Sequence, residues 1–196
     1  MRFSVLLLLP FIRLACSGRL SFDDIPVPNE GNCGRHTFVA AHQGFAISGG
    51  AVVNTTQTPA CHESSSGAGP WRKAASAPNL LSRAESVISF EAQRKFDAMQ
   101  LACASTLHWT VRATDENAVV RFTVTGARKI DGPVVVKKTV DVKSDGPHVV
   151  ALPGFRALRR VSVGAQLRYV ENGALVVLEA PCYVDDFVYN FVYNVL

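Results

Sequence analysis

The chain has 196 residues, of which 48% are hydrophobic and 18% charged, and its formal net charge at pH 7 is +4. This length and apolar content suit one domain with a sizeable core. The charge is too small to indicate that the protein binds nucleic acid or an anionic membrane.

The first residues have the pattern of a secretory signal peptide. Arg2 is followed by an apolar run over residues 5–11 and then by Ala15-Cys16-Ser17, which match the basic, hydrophobic and cleavage regions of such a leader. The apolar run is shorter than the roughly 20 residues of a membrane-spanning helix. We therefore predict that residues 1–17 are removed and that residues 18–196 form one secreted, extracellular domain without membrane insertion.

Removal of this leader takes away Arg2 and Arg13, so that 18 basic residues remain against 16 acidic ones and the net charge falls to +2. A membrane anchor through Cys16, as in a bacterial lipoprotein, is an alternative, although Arg13 stands where such motifs usually have Leu. The remaining chain is expected to be a monomer.

An acidic doublet set in apolar sequence occurs near both ends of the remaining chain. The first is Phe22-Asp23-Asp24-Ile25 and the second is Val184-Asp185-Asp186-Phe187. All-β folds are usually completed by a first and a last strand that meet. We therefore predict that these two segments are strands lying side by side.

Four cysteines follow the leader, namely Cys33, Cys61, Cys103 and Cys182. An even number in an exported chain predicts two disulfides, for which three connectivities are possible. We favour Cys33 with Cys61, which closes an irregular N-terminal segment, and Cys103 with Cys182, which joins distant strands. Thiols or bonds between chains are the alternative. A zinc site is less expected, because no two cysteines have a C-x₂₋₄-C spacing.

The stretch of residues 54–86 is rich in Ser, Thr, Ala, Pro and Gly and predicts a long surface loop. It begins with Asn54-Thr55-Thr56, an acceptor for N-glycosylation in an exported chain. Trp71 follows Gly69-Pro70 in this loop. Because aromatic rings stack on the apolar faces of sugars, Trp71 is our candidate ligand-binding residue.

The second half of the chain predicts a series of short strands. Residues 160–170 alternate between apolar and polar side chains, which is typical of a half-buried strand. Glu171-Asn172-Gly173 then predicts a tight hairpin to a second strand at residues 174–180. The other predicted strands are residues 96–103, 119–125, 134–142 and 149–152. Residues 91–101 have a composition that also suits a helix, but their neighbours favour a strand.

The order of several short motifs resembles secreted jelly-roll domains of the carbohydrate-binding-module or galactose-binding-like kind, which are common in fungal and bacterial extracellular proteins. The motifs are the two acidic doublets, a His42-Gln43-Gly44-Phe45 strand, an Ala77-Pro78-Asn79 loop, a Val124-Thr125-Gly126 strand and a Phe155-x-x-Leu158-x-x-Val161 step. The resemblance covers nearly all of residues 18–196. It implies a single all-β domain, a jelly-roll sandwich of two antiparallel sheets.

Two further expectations follow from this resemblance. Ala46-Ile47-Ser48 stands where these domains usually have a Trp, which argues against sugar stacking on that strand. Such domains often hold a structural calcium near their termini, and Asp23, Asp24, Asp185 and Asp186 would be its ligands here. The alternative is that the inward carboxylates accept hydrogen bonds from the backbone or from Ser/Thr side chains, or pair with an Arg.

The sequence predicts binding more strongly than catalysis. The five histidines are scattered, and neither H-E-x-x-H nor G-x-S-x-G occurs, so metalloprotease and hydrolase motifs are lacking. The favoured function is a secreted, non-catalytic recognition module for a glycan or a cell-wall polysaccharide. One alternative is a small glycan-degrading enzyme, with two carboxylates about 5 to 10 Å apart in a cleft. The other is a structural or host-interaction protein without a small ligand.

Overall fold

The structure is a computed structural model, and it describes residues 14–26, 37–54, 79–83, 87–105, 117–143, 147–180 and 182–193. These residues form thirteen strands, and every strand pairing among them is antiparallel. The strands are β1 (Leu14–Leu20), β2 (Thr37–Phe38), β3 (Ala41–His42), β4 (Phe45–Ser48), β5 (Gly50–Asn54), β6 (Asn79–Arg83), β7 (Ile88–Ala104), β8 (Val119–Ala127), β9 (Val134–Val142), β10 (His148–Ala151), β11 (Leu158–Glu171), β12 (Ala174–Glu179) and β13 (Tyr183–Tyr193).

The predicted all-β fold class with antiparallel strands is confirmed, and the pairings connect all thirteen strands into one hydrogen-bonded network. The described residues contain strands and turns but no helix, so they include none that is long and apolar enough to cross a membrane. The segment with helix-like composition, residues 91–101, lies within the 17-residue strand β7. Its cross-strand partners therefore outweigh its intrinsic helix propensity.

Strand β7 lies between two groups of strands, which we call the halves of the fold: β11 with β8, β9 and β12, and β13 with β1, β6, β5 and β2. Its first part pairs with β4 and β11, and its later part pairs with β10 and β13. Phe187 of β13 lies 5.1 Å from Phe90 and 5.6 Å from Phe45 between ring centroids. Since these rings come from strands that do not pair with one another at these residues, the contacts cross the core. Aromatic rings therefore pack across the core, together with many Val, Leu and Ala side chains.

The terminal segments are neighbours, as predicted, but the first strand is not the segment that carries the acidic doublet. All seven residues of β1 pair with β13, and Leu20 lies opposite Phe187. Asp23 and Asp24 instead occupy the turn that follows β1, where the Ile25 amide donates to the Phe22 carbonyl over 3.1 Å. The first four residues of β1 also lie within the predicted leader, whose removal stays a prediction.

Two other local predictions are corrected. The stretch of residues 54–86 is not one continuous loop, because residues 79–83 form β6, which pairs with β5 and β13. His42-Gln43-Gly44-Phe45 is not one strand but a hairpin turn between β3 and β4. Gln43 and Gly44 have φ values of 46° and 87°, which match the two central positions of a tight hairpin turn.

The predicted hairpin after residues 160–170 is confirmed. Asn172 and Gly173 have φ values of 51° and 79° and join β11 to β12, with Glu171 opposite Ala174. Along the preceding strand Val161, Val163 and Ala165 are buried, which confirms the alternation predicted from the sequence.

Candidate functional site

The site begins with the polar face of three neighbouring strands, β8, β9 and β11. Because successive side chains point to opposite sides of a strand, burying Phe122 and Val124 on β8 turns Thr123 and Thr125 to the other side. On β11, burial of Val163 in the same way turns Ser162, Gly164 and Gln166 outward. We call this side of β8, β9 and β11 the outer face.

The strand register places the outward side chains in three rows that run across the strands. In the first row, Gln166 lies between Arg121 and Glu179. In the second row, Gly164 lies opposite Thr123, and Thr123 lies opposite Thr139. In the third row, Ser162 lies opposite Thr125, and Thr125 lies opposite Lys137. Neighbouring strands are about 4.8 Å apart, and residues two apart on one strand are about 7 Å apart. The rows therefore form a continuous polar patch.

A groove of about 320 Å³ runs over this patch. Gly164 lies at the centre of the rows and has no side chain, so the surrounding side chains leave a depression above its backbone. Its φ is not in the left-handed region, and other residues could adopt this backbone. The polar side chains that line the groove are those of Thr123, Thr125, Lys137, Ser162, Gln166 and Glu179, and Val87 and Ala165 complete the lining.

The groove offers hydrogen-bonding groups of several kinds. Hydroxyls, an amide, an ammonium and a carboxylate all line it, and together they can both donate and accept hydrogen bonds. The Ser162 hydroxyl also lies 2.8 Å from the Ser89 hydroxyl on β7, which holds it at the groove floor. Glu179 is the one carboxylate among the lining residues.

An ion pair borders the groove at the end of the first row, where Arg121 lies opposite Asp141. Arg121 donates from Nε and Nη2 to the two carboxylate oxygens of Asp141, each over 2.6 Å. These hydrogen bonds from the guanidinium lower the pKa of Asp141 below its ordinary value. Asp141 is therefore ionised at neutral pH and paired with Arg121.

Three of the four predicted metal ligands lie around an arginine. Arg19 donates from Nε to Asp186 Oδ1 over 2.6 Å, and its Nη2 lies 2.5 Å from Oδ2. Its pKa is raised, first by the hydrogen bond to Asp186 and also by the charges of Asp186, Asp185 and Asp23. Pairing with an Arg, one of the alternatives to calcium, is thus observed at Asp186. Among the described residues no three His, Cys, Asp or Glu side chains group as metal ligands, and calcium stays a prediction.

The buried carboxylate of the second doublet accepts a hydrogen bond from the backbone of the next residue. Asp185 is 4% exposed, and its Oδ1 accepts a hydrogen bond from the Asp186 amide over 2.9 Å. Asp186 has a φ of 48°, and the register of β13 shifts here, so the strand bends at the doublet. The fourth predicted ligand, Asp24, lies 3.2 Å from His42 Nε2 through its Oδ1.

Cys103 and Cys182 lie close together in the core. Cys103 is opposite Val184, so Cys182, two residues earlier on the chain, lies diagonally across on the same face. Both are buried thiols in the structure. Burial raises the pKa of Cys103, and the nearby Cys182 raises it further. The two cysteines that we predicted to pair are therefore neighbours in the core, while the disulfide itself stays a prediction.

The other predicted sites lie partly or wholly outside the described residues. Trp71, Cys33 and Cys61 are outside them, and their roles stay predictions. Asn54 is the last residue of β5, opposite Asn79 of β6. The predicted glycosylation acceptor therefore begins where a strand ends.

The residues of the groove were not identified as a site from the sequence. The alternation of β11 indicated that Ser162, Gly164 and Gln166 share one face. Nothing in the sequence, however, showed that this face would lie beside Thr125 and Lys137. A glycine between two polar residues on the solvent side of a strand was the available signal for a depression.

No protein-family model matches the sequence, and no curated protein matches it significantly. Among solved structures, the chain is similar to a DUF4465 family protein from Bacteroides caccae ATCC 43185, with 10% identity, coverage of 89% of this chain and 98% of that chain, and a TM-score of 0.60. A DUF4465 family protein from Bacteroides ovatus ATCC 8483 has 10% identity, coverage of 90% and 99%, and a TM-score of 0.55.

A third structure, TmCBM61 in complex with beta-1,4-galactotriose, has 11% identity, coverage of 89% and 99%, and a TM-score of only 0.33. A TM-score this low does not support any inference about this chain. The two Bacteroides structures share its fold over most of its length. At 10% identity they show that likeness of fold alone.

Proposed function

We propose that this chain is a secreted, non-catalytic recognition module that binds a glycan in the groove over Gly164. The observation that carries the proposal is the composition of the groove, in which hydroxyl, amide and charged groups surround a glycine floor. A sugar presents many hydroxyls that both donate and accept, and such a lining can satisfy both roles. The volume of about 320 Å³ is at the lower end of the range of small-molecule sites.

The groove favours binding over glycan hydrolysis. Hydrolysis by the usual mechanisms uses two carboxylates on either side of the bond that is cleaved. Glu179 alone supplies a carboxylate to the described lining, and the nearby Asp141 is held by two hydrogen bonds from Arg121. The proposed role is therefore recognition, and Glu179 is an acceptor for sugar hydroxyls.

A glycan-array screen followed by calorimetric titration of the best ligand tests the proposal. Gly164→Leu fills the depression with a side chain that the extended backbone accommodates, and we expect it to abolish binding. Thr125→Val keeps the shape of the side chain but removes its hydroxyl. Loss of one such hydrogen bond should weaken binding by about 1 kcal/mol, or roughly five-fold.

Thr139→Val is the matched control, because Thr139 lies on the same outer face opposite Thr123 but does not line the groove. It should bind as the unmodified chain does, and circular dichroism should show that all three variants are folded. Unchanged binding by Gly164→Leu would contradict the proposed site. Trp71→Ala, screened in parallel, tests whether the predicted aromatic residue adds to the same binding.

A further inference from the structure

We infer that the ligand of the groove is an anionic glycan, with its acidic groups toward the end that carries Lys137; this inference rests on the proposed function. Lys137 lines the groove in the third row, beside Thr125 and Ser162. Its ammonium is a donor and a full positive charge. A carboxylate or sulfate on a sugar in this row would meet that charge directly.

The positive charge continues beyond the end of the groove. Arg160 is two residues before Ser162 and so shares the outer face, about 7 Å further along β11. Its Nη2 donates to the Gly132 carbonyl over 3.1 Å. This hydrogen bond holds the turn between β8 and β9 next to Arg160. That turn carries Arg128 and Lys129, both exposed. A chain that leaves the groove in this direction would therefore pass a run of cations.

The carboxylates near this end do not cancel its charge. Glu91 lies opposite Arg160 on β7, and Asp131 lies in the turn with Lys129. The cations that the strand register and the turn place at this end are Arg128, Lys129, Lys137 and Arg160. Four positive side chains thus lie near two carboxylates.

The opposite end of the groove is electrically balanced. Arg121 and Asp141 neutralise each other there. Glu179 and Arg168 follow on β12 and β11, and Arg168 lies close enough to Asp141 to affect its pKa. The electrostatic potential therefore rises along the groove from the Glu179 row to the Lys137 row. Such a gradient selects and orients a charged chain more than a neutral one.

Titration calorimetry with three oligosaccharides of equal length tests the inference: an oligogalacturonate, a sulfated galactan fragment and a neutral galactan fragment. We expect at least one anionic probe to bind about ten-fold more tightly than the neutral one at about 50 mM NaCl, because a charged hydrogen bond is added. The advantage should shrink at about 500 mM NaCl, where exposed charges are screened. The two anionic probes distinguish a carboxylate ligand from a sulfate ligand.

Lys137→Gln and Lys138→Gln form a matched pair of variants. They are adjacent on β9 and remove the same charge, but Lys138 lies opposite Val124, on the side of the strand away from the groove. We expect Lys137→Gln to lose most of the preference for the anionic probe and Lys138→Gln to keep it. Equal losses in both variants would mean attraction by net charge alone and would overturn the inference.

The same measurements separate the failure of this inference from that of the proposed function. If the neutral fragment binds as tightly as the anionic probes and Gly164→Leu abolishes that binding, the groove is a glycan site and the inference is wrong. If none of the three probes binds and the array shows no ligand, the proposed function is wrong as well, and this inference falls with it.

Discussion

Single glycines determine how closely the strands around the groove can pack. Gly126 faces the core, and a Cβ added there would lie 2.7 Å from Leu158 Cδ1 and 2.8 Å from Val136 Cγ1. Both distances are shorter than real contacts of this kind, so the neighbouring side chains would have to move. Gly164, on the neighbouring strand β11, instead faces the groove.

Gly126→Ala is therefore expected to destabilise the fold by about 1 to 3 kcal/mol through overpacking. Gly164→Ala is the matched control and should change stability much less, because its methyl group would enter the open groove. Urea denaturation of the two variants and the unmodified chain measures the difference. Equal stability of Gly126→Ala and the unmodified chain would show that Leu158 and Val136 can move aside at little cost.

For single residues, the sequence predicted which chemical groups need a partner better than it predicted which residues those partners are. That one Asp of each doublet would need a partner followed from the alternation of side chains along a strand. That Arg19 would pair with Asp186 did not follow, because 167 residues separate them and the register of β1 on β13 brings them together. The left-handed backbone at Asp186 was equally beyond prediction, since it depends on the bend of β13.

The hairpin of β11 and β12 exposes four large apolar side chains. Val170, Leu175, Val177 and Leu178 are each between 45% and 58% exposed. In the part of the chain that the structure describes, β12 pairs with β11 alone. A strand edge with apolar side chains is a site where chains can associate.

Leu175→Lys is expected to reduce concentration-dependent association of the protein. Leu175 lies on the same face as Val170 and opposite it, so the aliphatic part of the lysine can cover Val170 while its charge remains in water. Sedimentation velocity at about 10 and 200 μM, with the unmodified chain alongside, measures the change. Thermal denaturation should show little loss of stability. Identical sedimentation of both proteins would mean that this edge does not mediate association.

Elements with a strong local pattern were predicted well. The β11–β12 hairpin followed from an alternating strand, an Asn-Gly turn and a second apolar run, all within 20 residues of one another. Strand β6 was missed because its five residues follow a stretch of loop composition, and its partners β5 and β13 define it as a strand. Long-range pairing of this kind is not encoded in a short window.

Two buried cysteines of the described residues lie where β7 meets β13. Cys103 belongs to β7, and Cys182 immediately precedes β13. For chains refolded with oxidised glutathione, we expect a disulfide between them. It should stabilise the fold by about 2 to 4 kcal/mol, because it closes a long loop in the unfolded chain.

Peptide mapping under non-reducing conditions identifies the bond, and urea denaturation with and without prior reduction gives its effect on stability. Ala is the suitable replacement at position 103, because the site is buried and apolar. The oxidised Cys103→Ala variant should lack the added stability. A peptide map in which Cys103 is bonded to Cys33 or Cys61 would refute the predicted connectivity.

One property of the assembled fold follows from the length of β7. The same 17 residues hydrogen-bond to β11 of one half and to β13 of the other. Neither half can therefore separate from β7 without losing hydrogen bonds to it. The halves should therefore not melt as separate units. Slow amide hydrogen exchange should report similar protection free energies at Val163 of β11 and at Val184 of β13, both set by global unfolding.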